Sequence, residues 1–133
     1  MTDKVFQCRM AVRDYECDMQ GVVNNSVYQN YLEHARHEFL KHKGLNFADL
    51  TRRGIIVVVV RAELDYLQSL RSGDVFDVSV EPARISALRL GFQQHIVHEA
   101  SRKVMLKALI ITTAVNERGR PWFPAELETL LVQ

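Results

Sequence analysis

The chain has 133 residues, with 17 Lys or Arg against 16 Asp or Glu, a formal net charge of +1 and 47% apolar residues. That mixture fits one globular domain over residues 1–133 and leaves no basic footprint for nucleic acid. Cys8 and Cys17 form neither a disulfide framework nor a C-x-x-C pair, and the longest apolar run, Ile55 to Val60, falls far short of the ~20 residues that span a bilayer. The opening Met-Thr-Asp-Lys-Val-Phe has no apolar signal-peptide core, so the expected setting is cytoplasmic, with no membrane span.

Val5 to Arg13 reads as a first strand, followed by a loop from Asp14 to Asn25 that contains Gly21 and the Asn24-Asn25 pair. A helix then begins, with Ser26 and Gln29 matching a capping box. Tyr28, Tyr31, Leu32, Ala35 and Phe39 recur at helical spacing on one stripe, while Gln29, Asn30, Glu33, Arg36, His37 and Lys41 fall largely on the other side. Lys41, His42 and Lys43 suit the negative end of the helix dipole, and Gly44 supplies a stop.

From Gly54 the period changes to two. Val58, Val60, Ala62, Leu64 and Tyr66 alternate with Val59, Arg61, Glu63 and Asp65. Ser72-Gly73-Asp74 turns the chain into a run on Phe76, Val78 and Val80, and Leu88, Leu90, Phe92 and Ile96 make the next. Val104 to Val115 is a last long strand, and Pro124 to Leu131 is a short terminal helix or strand. Short connections favour antiparallel pairing, and the single amphipathic helix needs an apolar face to lie on. The expected fold is α+β: one long central helix wrapped by a curved antiparallel sheet of about five strands, the hotdog arrangement.

The stretch from Arg13 to Tyr28 places carboxylates in a polar loop that ends at a helix N-terminus. Free N–H groups there stabilise a developing oxyanion, and a nearby carboxylate can attack a carbonyl or deprotonate water. Taken alone, Asp18 ahead of Gly21 is also ordinary turn chemistry.

Asp18, Gly21, Val22-Val23 and Tyr28 together resemble the signature of the 4-hydroxybenzoyl-CoA thioesterase family of hotdog proteins. Tyr31, Arg36, His37 and Glu38 extend the likeness toward plant acyl-lipid and methylketone-forming acyl-ACP thioesterases, and Leu70 to Asp74 is similar to that family's Gly-Asp turn. The resemblance implies that Asp18 is the catalytic carboxylate, as nucleophile or as general base. It implies that the backbone N–H of Asn25 is the oxyanion donor and that Gly21 lets the backbone approach the thioester. Val22 stands where many relatives have His, which puts a His-dependent mechanism in doubt here.

Further candidates carry two readings each. Asn24 is a substrate contact or a cap, and Tyr28 and Tyr31 are core residues that also line an acyl pocket with Val58 to Val60. Glu63 is a carboxylate bordering the site or a solvated edge residue. Arg84, Ser86 and Arg89 are contacts for CoA phosphate or pantetheine, or simply a basic surface; Arg118 and Arg120 are weaker versions of the same. Cys17, beside Glu16 and Asp18, has its thiol pKa raised rather than lowered, which argues against a nucleophile. His34 and His37 lie one helical turn apart beside Glu33 and Glu38, but a metal site needs a third ligand and no H-E-x-x-H pattern is present. A solvated polar face is the better reading, and no metal or cofactor is expected.

The expected activity is hydrolysis of acyl-CoA or acyl-ACP, in a homo-dimer or homo-tetramer. The competing readings are a non-catalytic acyl-thioester-binding domain and an enoyl-thioester hydratase.

Overall fold

The computed structural model describes residues 5–132, so the opening tetrapeptide lies outside the described residues. The elements run β1 (Phe6–Ala11), α1 (Asn25–His42), α2 (Phe47–Arg52), β2 (Ile56–Tyr66), β3 (Val75–Arg84), β4 (Arg89–His98), β5 (Val104–Val115), β6 (Pro121–Trp122) and α3 (Ala125–Glu128), with 3-10 turns at Asp14–Glu16 and Thr129–Leu131. The sheet is antiparallel in the order β1-β3-β4-β5-β2, and the short β6 pairs with the end of β5. This is the hotdog fold, with six strands rather than five. No described helix is long and apolar enough to cross a membrane.

Residues paired directly across antiparallel strands share a face, so the register defines the inner surface. It carries Cys8 and Met10, Phe76 and Val78, Phe92 and Ile96, and Leu106 and Ile110. The expected stripe of α1 (Tyr28, Tyr31, Leu32, Ala35 and Phe39) is buried against it, and α1 lies over β1 and β3. Arg36, expected on the polar side, is only 8% exposed. It sits one turn from both Leu32 and Leu40, so helical spacing carries it into the buried side.

The capping box is not formed. α1 begins at Asn25, with Asn24 at the cap position and no side-chain cap bond, so Ser26 already lies in the first turn. The helix ends where expected, with Gly44 at φ 81. The small helix α2 was not anticipated; Asn46 caps it by accepting from the Asp49 N–H at 2.7 Å.

A register shift between Val59 and Arg61 also changes the expected alternation in β2. Val57 and Val59 pair with Ala114 and Thr112, whereas Ala62 and Leu64 pair with Ile110 and Ala108. The bulged Val60 therefore places Val58 on the outer face and Ala62 on the inner one. The strand is exposed along most of its length, because it is a sheet edge and α1 does not cover it.

Candidate active site

The loop from Arg13 to Asn24 is folded by its own polar groups and by stitches to the β2–β3 connection. Val12 N–H donates to Asp74 O at 2.9 Å, Val23 N–H to Leu70 O at 3.0 Å, and Ser72 hydroxyl to Asp14. Glu16 is the hub. Its carboxylate accepts from Arg13 N–H at 2.8 Å and from the Tyr31 hydroxyl at 2.7 Å, and it pairs with the Arg13 guanidinium at 3.3 Å. Its carbonyl accepts from Asn24 N–H at 3.1 Å, which ties the loop to the start of α1. Burial first, then Glu16, pushes the Tyr31 hydroxyl pKa up and keeps it a donor.

Asp18 closes a tight turn. Its Oδ1 accepts from Gln20 N–H at 2.9 Å and Val22 N–H at 3.3 Å, while Gly21 N–H donates to Asp18 O at 3.0 Å. Gly21 holds φ 80 with nothing within 4 Å of a built Cβ, so backbone conformation rather than crowding calls for glycine. The second carboxylate oxygen of Asp18 has no protein partner among the described residues.

Asp18, Asn24, Asn25 and Tyr28 line one cavity of about 240 Å³, together with Tyr66, Gln68 and Ser69. The N–H groups of Asn25 and Ser26 have no protein acceptor among the described residues. Asn24 does not cap the helix with its side chain; its Nδ2 lies 3.5 Å from Glu16 O. Tyr28 accepts from Leu70 N–H at 2.9 Å, which fixes its ring against the cavity. Tyr66, Gln68 and Ser69 escaped the sequence reading because only the fold brings the end of β2 to the start of α1.

The other candidates are placed elsewhere. Tyr31 is 1% exposed and serves Glu16 rather than the cavity. Of the expected acyl-pocket valines, Val58 faces outward, and Val60 is the bulge. Glu63 pairs with Arg61 at 2.7 Å on the outer face, a solvated edge residue in the single chain. Arg84, Ser86 and Arg89 lie at the far end of the sheet, the length of β3 or roughly 30 Å from Asp18. Arg84 is committed there: it stacks 3.8 Å from the Phe123 ring centroid, pairs with Glu128 at 3.2 Å and donates to Ser86 O and Ala87 O. Ser86 and Arg89 are exposed. Desolvation first, then Asp14, Asp18 and Glu16, pushes the Cys17 thiol pKa up, against a thiolate nucleophile. No histidine lines the cavity, and no group of three His, Cys, Asp or Glu among the described residues is arranged to hold a metal.

The thioesterase-like superfamily profile matches residues 12–131. The chain is 37% identical over 115 residues to a chloroplastic acyl-acyl carrier protein thioesterase of Arabidopsis thaliana, covering 86% of this chain and 60% of that protein. The chain thus spans about 60% of the length of its curated plant relatives. A crystal structure of an Aquifex aeolicus protein superposes with a TM-score of 0.88 at 31% identity, covering 95% of this chain and 98% of that one. A 1,4-dihydroxy-2-naphthoyl-CoA thioesterase from Synechocystis shares the fold at a TM-score of 0.89 and 18% identity, covering 96% of each chain.

Proposed function

The chain belongs to the thioesterase-like superfamily, and from that premise we propose that it hydrolyses acyl thioesters of coenzyme A or acyl carrier protein, with Asp18 as its catalytic carboxylate. The observation that carries this reading is a helix start with no side-chain cap, where the N–H groups of Asn25 and Ser26 have no protein acceptor among the described residues and Asn25 lines the same cavity as Asp18. The helix end carries partial positive charge, and an N–H aimed into a cavity holds an oxyanion without reorganising.

The thioester carbonyl oxygen would lie on the Asn25 N–H. Two backbone donors hold Asp18 Oδ1, so the free oxygen faces the substrate. It either attacks the carbonyl carbon, giving an acyl-aspartyl anhydride that water then opens, or takes a proton from a water that attacks instead. Either route breaks the C–S bond, and the thiolate leaves with a proton to give free acid and thiol. Gly21 supplies the turn that brings Asp18 forward, and Asn24, Tyr28 and Tyr66 border the acyl group.

The assembly is proposed as a homo-dimer, the unit from which a tetramer would be built. β2 is an eleven-residue edge strand exposing Val58, Val59 and Val60 at 38%, 51% and 43%. Unpaired edges of this kind are covered in stable proteins, and a second β2 is the matching strand. Two-fold antiparallel pairing turns the partner end for end. Its β3–β4 hairpin then lies at the end of the sheet where Asp18 sits. The exposed Ser86 and Arg89 would thus meet the phosphates or pantetheine of a substrate bound in the other protomer.

The test is thiol release from acyl-CoA and acyl-ACP panels by wild type and Asp18→Asn, with sedimentation of the wild type alongside. Activity should fall by about 10²–10⁴ in the folded variant, the range for a positioned acid or base. Equal activity in both proteins would remove Asp18 from the mechanism, and binding without thiol release would leave an acyl-thioester-binding domain. A fully active monomer would end the shared-site reading.

A further inference from the structure

We propose that the cavity between α1, α2 and the Ile56 end of β2 is a second subsite, taking the far end of an acyl group that carries an acceptor oxygen, with Arg36 as the selecting residue. The inference rests on the thioesterase reading and deepens it to a substrate class.

Arg36 is 8% exposed, and its Nη1 donates to Gln94 Oε1 at 3.0 Å. Gln94 is held in turn by donating to Leu32 O at 3.1 Å. Arg36 takes part in no ion pair among the described residues. A guanidinium has five N–H donors, and a buried charge is costly unless it is paired and hydrogen-bonded. One neutral amide oxygen satisfies a single donor. Among the described residues no side-chain nitrogen is sealed from solvent without a partner, so the remaining Arg36 donors face open space. That space is a cavity of about 250 Å³.

Half of its lining residues are apolar: Phe47, Ile56, Val57, Val59 and Phe92. The Thr112 hydroxyl donates to Leu90 O at 2.9 Å and makes no hydrogen bond with Arg36. Glu33 stands at the rim, exposed and not paired with Arg36. His37 packs against the Phe47 ring at 4.5 Å. The cavity therefore combines apolar walls with a buried guanidinium that has one hydrogen-bond acceptor among the described residues.

It lies along the same face of β2 as the cavity at Asp18. That inner face carries Val57 and Val59 beside the one cavity and Tyr66 beside the other, with Ala62 and Leu64 between them. Asn25, Tyr28, Leu32 and Arg36 follow one another at helical spacing along the facing wall. Through Gln94 the guanidinium is held near the level of Leu32, about 10 Å along the helix from Asn25 at ~1.5 Å per residue. An extended acyl chain advances about 1.25 Å per carbon, given C–C bonds of about 1.52 Å, so eight to ten carbons cover the span. A plain methyl terminus there would strip water from the donors and return nothing. A hydroxyl or carboxylate would accept from them, bidentately in the case of a carboxylate.

The experiment compares decanoyl-CoA, ω-hydroxydecanoyl-CoA and the mono-CoA thioester of decanedioic acid. It reads kcat/KM in the wild type and calorimetric binding in Asp18→Asn, which does not depend on turnover. The oxygenated thioesters should be preferred by at least about tenfold, the factor equivalent to about 1.4 kcal/mol. The preference should vanish in Arg36→Met and also in Val59→Phe, which fills the cavity while leaving the Arg36 bonds in place. Equal binding of the three ligands, or a preference that survives both substitutions, would overturn the subsite. Inert thioesters combined with an intact binding preference would sink the hydrolase reading and leave the subsite standing.

Discussion

Removing one hydroxyl should loosen the loop that carries Asp18. Tyr31→Phe deletes the donor that meets Glu16 at 2.7 Å and changes little else in a ring that is 1% exposed. A hydrogen bond to a charged group contributes about 1.5–3 kcal/mol. The Glu16 side chain keeps 11% exposure, so water recovers part of that, and a loss of about 1–2 kcal/mol is expected. With an unfolding entropy of ~2.1 cal/mol/K per residue, the 133 residues convert this to about 4–7 °C in Tm. Thermal denaturation of Tyr31→Phe, Glu16→Ala and the double variant measures the coupling, which should be about 1 kcal/mol or more. Thiol release measured in parallel should show kcat falling more than KM rises, because the loop shifts against the helix start. If the two substitutions add within about 0.5 kcal/mol, the hydroxyl and the carboxylate do not act as a pair, and the reasoning fails.

Gly21→Ala should cost roughly 1 kcal/mol for forcing a Cβ into φ 80, yet reduce activity far more, since the same turn aims Asp18; comparing denaturation midpoints with kcat separates the two effects. Arg84→Ala should lower stability by about 1–2 kcal/mol through the lost Phe123 stacking and Glu128 pairing, with KM for CoA substrates unchanged. Arg89→Ala should do the reverse, raising KM and flattening its salt dependence. Burial first, then nearby carboxylates, holds both cysteine pKa values above the ordinary value, so thiolate is scarcer at any given pH than in a free thiol. Iodoacetamide labelling should then rise with pH on the alkaline side of free cysteine, and labelling at pH 7.5 as fast as a free thiol would contradict it.

What was legible in the chain was whatever repeats locally. The α1 stripe and the alternating strands each bury a periodic face, and a period shows in one dimension. That Asp18 and Asn25 line one cavity was legible because a turn and a helix start adjoin in sequence, whereas the roles proposed for them and for Gly21 came from the family resemblance. Arg36 was misassigned by residue type, although its spacing from Leu32 and Leu40 already placed it inward. The bulge at Val60 was hidden because a run of valines looks the same in either phase. The roles of Glu16 and Arg84 depend on Tyr31, Phe123 and Glu128, partners that only the fold brings near, and Tyr66 reaches the cavity for the same reason.

The loop around Asp18 is stitched to residues 70–74 as well as to its own neighbours. Closing those contacts requires β2 and the turn after it to be in place, across some fifty residues of chain, and loop closure of that length is slow and entropically costly. α1 can form from local bonds alone, but the cavity at its start has no second wall until the sheet has assembled. Competence for chemistry is therefore a late event in folding, and a nascent or partly folded chain would carry its carboxylate and its helix without a working arrangement of the two.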